Sequence, residues 1–171
     1  MSETCETCEP NVFARFFKSQ EKHLRNFLYY KFGSEEQAND VAQEAFIKLW
    51  QNCEKIPFEK AKSYLYTVAF KKSLKAIAHE KVVLRYAKSK VIPIGTNENP
   101  EFLMEEDQFK TKLLSAIENL NETQRVAFLM HRIDKLKYAE IAERLGISVK
   151  AVEKRIHQAM QSLKQQVEYL R

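Results

Sequence analysis

The chain is short of the residues that interrupt helices, and of those that carry redox or metal chemistry. Its 171 residues include Gly 3 and Pro 4, too few for the turn-rich connections of a β-sandwich or barrel, while 44% are hydrophobic, enough to fill a core. An all-α protein is the expectation, in one domain or two small ones. Cysteine is scarce: Cys5 and Cys8 form a CxxC pair and Cys53 stands alone. A four-ligand zinc site needs more, and His23, His79, His131 and His157 are dispersed along the chain. The first segment lacks the strand-and-helix pattern of a thioredoxin-like site, so its thiols read as incidental parts of an acidic tail, residues 1–10. No apolar run approaches the ~20 residues that span a bilayer, and the N-terminus is acidic where a secretory signal is basic. These features predict a cytoplasmic protein. A phosphate-cradling glycine loop, a nucleophile elbow and a metal-ligand motif are all missing, which argues against an enzyme, a metal and a bound cofactor.

What the chain does contain is a complete helix-turn-helix signature, from Tyr138 to Ile156. Ala142 lets two helices cross closely, Gly146 takes the positive φ of a tight turn, and Ser148 caps the second helix. Ile141, Leu145, Ile147, Val152 and Ile156 supply the core of the motif. In the second helix Val152, Ile156, Ala159 and Leu163 fall on one face and Lys150, Lys154, His157 and Gln161 on the other. The first turn after Ser148 holds Lys150 and no acid, so the positive helix end is free for a phosphate. The net charge of +5 suits a polyanionic partner, and its distribution says more: Lys71, Lys72, Lys75, Lys81, Arg85, Lys88 and Lys90 face the single acid Glu80.

Upstream, an amphipathic helix spans Val12 to Phe32 and stops at Gly33. Ser34 and Gln37 have the spacing of a capping box, so a second helix begins near Glu35. Its buried stripe is predicted as Ala38, Val41, Ala42, Ala45, Phe46, Leu49 and Trp50, leaving Asp40, Gln43, Glu44 and the apolar Ile47 outside. A third helix, from Lys60 to about Arg85, has a discontinuous apolar face: Ala61, Leu65 and Val68 lie opposite Phe70, Leu74 and Ile77. It should kink or meet two partners. Its aromatics beside lysines suit base stacking combined with phosphate neutralisation. The breakers Pro93, Gly95, Asn97, Asn99 and Pro100, followed by Glu105 to Asp107, mark an interdomain linker over residues 89–108. Helices from Gln108 to Leu120 and from Glu122, capped by Asn121, then complete a four-helix C-terminal unit.

The run Asp40 to Trp50 resembles the core-polymerase-binding helix of extracytoplasmic-function sigma factors, the minimal bacterial promoter-specificity subunits of RNA polymerase. Tyr64 to Ala69 is similar to the opening of that family's −10 reader, and Asn121 to Arg125 with the helix-turn-helix to its −35-binding domain. The resemblance implies a domain over residues 11–88 for core polymerase and the −10 element, and one over 109–171 for the −35 element. It implies Asp40, Gln43, Glu44 and Ile47 on the polymerase clamp helices. Lys62, Tyr64, Lys71, Lys72 and Lys75 would meet the melted −10 strand, with the loop from Lys55 to Lys62 holding a flipped base. Lys150, Ala151, Lys154, Arg155, His157 and Gln158 would meet the −35 duplex, and an anti-sigma factor is the implied inhibitor. The chain departs from the family at Phe70-Lys71, where Arg-Asn is usual, at Ala78, where a basic residue is usual, at Ala151, where Thr is common, and at Asn121, where Pro is common. The rival reading is a helix-turn-helix regulator that binds duplex DNA without polymerase.

Overall fold

The computed structural model describes residues 6–76 and 100–167, with backbone alone at 75, 76 and 100–106. The sequence readings of Ile77, Ala78, Lys81, Arg85, Lys88, Lys90 and the breakers from Pro93 to Asn99 therefore lie outside the described residues. Seven α-helices and two short 3₁₀ turns follow one another, with no strand among the described residues.

Local chemistry sets the helix ends. Helix α1 (Pro10–Phe32) starts where the Glu9 carboxylate accepts from Asn11 N and from Val12 N, the latter at 2.9 Å. It ends at Gly33, whose φ of 70° places it in the left-handed region while its N–H donates to Tyr29 O. Ser34 then caps α2 (Glu35–Gln51), accepting from Gln37 N. Helix α3 (Phe58–Ala76) follows the turn Cys53–Lys55, and the three helices enclose Leu24, Leu28, Ala45, Leu49, Ala61, Leu65 and Ala69. Phe27 packs on Tyr66 with ring centroids 5.4 Å apart, and Phe17 on Phe46 at 4.6 Å. Full burial of each leucine side chain contributes about 1.5–3 kcal/mol.

Two expectations change here, and the choice left open for the third helix is decided. Trp50 is not in the buried stripe of α2; it is 42% exposed and packs edge-on against Phe13 at the rim of the α1–α2 contact. Helix α3 is continuous through Ala76 and meets two partners with its split face: Ala61 and Leu65 are buried, whereas Phe70 and Leu74 stand exposed on the other side. The segment Glu6–Cys8 is no frayed tail. It forms a 3₁₀ turn joined to the α2–α3 connection by a Cys8–Cys53 disulfide and by the Thr7 hydroxyl, which donates to Ile56 O at 2.7 Å.

The second half begins at Pro100, eight residues before the expected start at Gln108. Proline is tolerated in a first turn, where its missing N–H has no intrahelical partner, so a helix can begin on a residue read as a breaker. Helices α4 (Pro100–Glu118), α5 (Glu122–Arg132), α6 (Tyr138–Leu145) and α7 (Val149–Gln166) surround Ala116, Met130, Ile141, Val152, Ile156, Ala159 and Leu163. Asn121 caps α5 by accepting from Thr123 N at 2.9 Å, the Glu140 carboxylate accepts from Lys137 N at the head of α6, and Ser148 accepts from Ala151 N at the head of α7. Between α6 and α7, Gly146 adopts φ 65°.

The two halves pack on each other, α1 against α5 and α3 against α6. Arg125 is the central bolt: its buried guanidinium donates from Nε to Tyr30 O at 3.0 Å, and from Nη1 to Leu120 O and Glu118 O. Lys31, only 3% exposed, donates from Nζ to Glu122 at 2.8 Å and lies 4.3 Å above the Phe70 ring. Asn26 and the Tyr30 hydroxyl both donate to Asp134 Oδ1.

Candidate functional site

Helices α2, α3 and α7, with the ends of α5 and α6, present the residues singled out in the sequence. On α2, Val41, Ala42, Ala45 and Phe46 turn inward, and helical geometry then forces Asp40, Gln43, Glu44 and Ile47 outward together. All four are exposed, Ile47 at 55%. The result is an acid-and-amide face with one apolar side chain. Glu44 is also paired with Lys72 of α3, which links this face to the next.

Helix α3 separates its residues. Lys71 is exposed, Tyr64 and Lys72 are half-buried, and the Lys75 side chain is outside the described residues. Lys62 is engaged across the molecule, its Nζ 3.1 Å from a Glu143 carboxylate oxygen on α6. Between the halves lies a cavity of about 470 Å³ whose walls include Phe27, Lys31, Phe70, Lys71, Arg144 and Arg155. In its wall, burial pushes the Tyr66 phenol above its usual range, against the lowering influence of Arg144.

The helix-turn-helix splits its predicted contacts as well. Lys150, Lys154 and His157 line a second concavity of about 470 Å³ on the outer side of α7, with His131 and Arg132 from the end of α5 and Tyr138 from α6. Glu153 is the one acid there. His131 Nδ1 lies 2.9 Å from Leu136 O and its ring stacks edge-on to Tyr138 at 5.0 Å, so the wall of the groove is fixed. Arg155 points away from this groove, into the cavity between the halves. Ala151 and Gln158 are half-buried on the flank, where Gln158 accepts from Gln124. Sequence periodicity misses Arg132, His131 and Tyr138, since they lie on two other helices. The signal that points to them is a basic pair ending α5, near a helix C-terminus, where cations are favoured.

Buried titratable groups concentrate where the halves meet. Burial raises the Asp134 carboxyl above its ordinary value, partly offset by the donors Asn26 and Tyr30. Burial and the Arg144 guanidinium hold His23 below the usual imidazole range. Desolvation lowers Arg125, opposed by Glu122 and Glu118. At the head of α6 the backbone N–H of Lys137 holds Glu140 below the ordinary carboxylate value. No group of His, Cys, Asp and Glu with metal-holding geometry occurs among the described residues, and no described helix is long and apolar enough to cross a membrane.

Two family models match the chain, one after the other. Residues 16–89 match sigma-70 region 2, which here takes in α1 from Phe16, α2 and α3, and residues 110–163 match sigma-70 region 4, from the second half of α4 through most of α7. The ferric citrate uptake sigma factor FecI of Escherichia coli (strain K12) is 27% identical over 164 residues, covering 94% of this chain and 94% of that protein. The ECF RNA polymerase sigma factor SigW of Bacillus subtilis (strain 168) is 24% identical over 169 residues, covering 93% of this chain and 90% of that protein. Among solved structures, CnrH in complex with the cytosolic domain of CnrY shares the fold, with a TM-score of 0.56 over 93% of this chain and 89% of that one at 20% identity. With both regions present in order and likeness to two sigma factors running nearly end to end, the chain belongs to the sigma-70 family, as a sigma factor of the extracytoplasmic-function class.

Proposed function

We propose that the chain acts in the cytoplasm as a reversible, non-catalytic subunit of bacterial RNA polymerase, which it directs to promoters carrying −10 and −35 elements. The observation that carries this reading is the order of the two matched regions on two separate helical units, one bearing an acidic face and the other a basic groove. Asp40, Gln43 and Glu44 dock on a basic surface of core polymerase, and Ile47 fills an apolar pocket at the centre of the contact. Such an anchor, ringed by polar groups, is the usual make-up of a binding hot spot.

Downstream, the connection after Lys55 and the first turn of α3 up to Lys62, helical from Phe58 where a loop was expected, take a base flipped from the melting −10 element, and Tyr64, Lys71, Lys72 and Lys75 meet the opened strand. Stacking and phosphate neutralisation offset the unpairing cost of a few kcal/mol. Lys62 exchanges Glu143 for phosphate in that step, and Lys72 likewise exchanges Glu44. Upstream, Lys150, Lys154 and His157 enter the major groove of the −35 duplex, with Arg132 on the neighbouring backbone. Ala151, Arg155 and Gln158 flank that contact. Nucleotide addition belongs to the polymerase. An anti-sigma factor is the expected inhibitor, as the resemblance to the family implies.

Run-off transcription with purified core polymerase and a library of promoter-like DNA tests the whole reading. Discrete starts that depend on this protein are expected. Duplex binding with no effect on transcription by core enzyme from the native host would replace it with a polymerase-independent regulator.

A further inference from the structure

The cysteines take no part in the proposed promoter-reading surfaces. The Cys8–Cys53 bridge joins positions 45 residues apart in sequence, with Cα atoms 5.1 Å apart. Cys53 opens the turn Cys53–Lys55, directly before the segment from Lys55 to Lys62 to which the proposed function gives the flipped base. The N-terminal turn grips this connection covalently at Cys53 and also at Ile56, whose carbonyl accepts from the buried Thr7 hydroxyl at 2.7 Å. The exposed Lys55 stands between those two points. A turn of three residues has almost no internal hydrogen bonding of its own. Without the bridge, the covalent part of its hold on the connection is lost.

We propose that the Cys8–Cys53 bridge is a redox-responsive staple on the base-capturing segment at the head of α3, and that the oxidised protein opens promoters more efficiently than the reduced one. The inference rests on the sigma-factor reading and adds a covalent site to it. Disulfides in reducing compartments are rare, and those present are typically transient or sensing. A thioredoxin-class dithiol reverses the bridge: its thiolate attacks one sulfur, a mixed disulfide forms, and the second thiol of the reductant displaces it. Two electrons and two protons pass to Cys8 and Cys53, which end as thiols, while the reductant ends as a disulfide. A small-molecule or protein disulfide runs the exchange in the other direction. The freed connection must then be ordered at the moment of binding, which weakens capture about three- to tenfold for one or two side chains newly immobilised.

The test uses holoenzyme rebuilt with wild-type protein in each redox state, the state being verified by thiol counting, and reads run-off transcript from one fixed promoter. The oxidised form should exceed the reduced form by about three- to tenfold. The double variant Cys8→Ser with Cys53→Ser should stay at the reduced level under both conditions, which also controls for thiols of the polymerase, and Cys5→Ser should keep the wild-type response. Fluorescence of Trp50, the only tryptophan, three residues from Cys53, reports whether each form is folded. Equal transcription from the two states, a response that survives in the double variant, or a bridge that a thioredoxin-class dithiol cannot reduce in native buffer would each overturn the staple. Absence of transcription from every form would remove the sigma-factor reading itself, and the staple with it.

Discussion

Replacing Arg125 by Ala should be among the most damaging single changes in the molecule. The guanidinium is 5% exposed and serves three carbonyls, Tyr30 O at 3.0 Å, Leu120 O at 3.0 Å and Glu118 O at 3.3 Å. A net hydrogen bond from a charged donor contributes roughly 1.5–3 kcal/mol, but the gain is reduced here by the desolvation that lowers the Arg125 pKa. The truncation also leaves buried carbonyls without their donor, at about 1–3 kcal/mol for a group that water cannot reach. Non-additivity brings the sum down to about 3–4 kcal/mol, the range seen when one member of a buried polar network is removed. For a chain of this size that is a fall in Tm of roughly 6–16 °C. Because Tyr30 O belongs to α1, the loss should act on the joint between the halves as well as within the second half. Urea unfolding followed by circular dichroism and by Trp50 fluorescence would then show two separated transitions, Trp50 reporting the first half alone. A variant losing under about 1 kcal/mol, with coincident transitions, would refute the assignment of Arg125 as the bolt.

Three further outcomes are expected. Asp40→Lys with Glu44→Lys should weaken assembly with core polymerase by at least about tenfold in a pull-down titration, while stability falls by only about 1 kcal/mol through loss of the Glu44–Lys72 pair; unchanged affinity would remove the docking face. Lys150→Glu with Lys154→Glu should weaken upstream duplex binding and, because two phosphates are no longer neutralised, flatten the slope of log K against log salt by roughly 2; a slope equal to wild type would exclude these lysines from the interface. His23, with a folded-state pKa below its unfolded value of 6.5, stays neutral in the fold when the unfolded chain takes up a proton. Stability should therefore fall as pH drops through 6.5, and His23→Gln should flatten a plot of Tm against pH between about 7 and 5; identical slopes would contradict the burial of that imidazole.

Periodicity makes much of this fold readable. The buried stripe Val152, Ile156, Ala159 and Leu163 repeats every three or four residues, and the caps at Ser34, Asn121 and Ser148 are side chains whose oxygens accept from the next turn. The outward faces of α2 and α7 follow from the same geometry. Contacts that depend on long-range pairing stay hidden. Nothing near Cys8 points to Cys53, and nothing near Arg125 points to the backbone of Tyr30. Helical angle alone misplaces Trp50, because it does not say where a crossing ends. It also separates Arg155 from Lys154, its neighbour in sequence, since adjacent residues on a helix are about 100° apart and face different surroundings.

The contact of α1 with α5 and of α3 with α6 has a consequence in reach. Promoter elements about 25 base pairs apart are separated by roughly 85 Å along a duplex, at about 3.4 Å per pair. The chain from Ala76 to Pro100 makes 24 steps of about 3.3–3.6 Å, a tether of at most about 85 Å when taut. A compact chain of this size spans roughly 40 Å, so the proposed function, with both elements bound at once, would part the halves at Lys31–Glu122 and Lys62–Glu143. Under that proposal the measured affinity for a two-element promoter would equal the intrinsic one scaled by the fraction of molecules with the halves already apart.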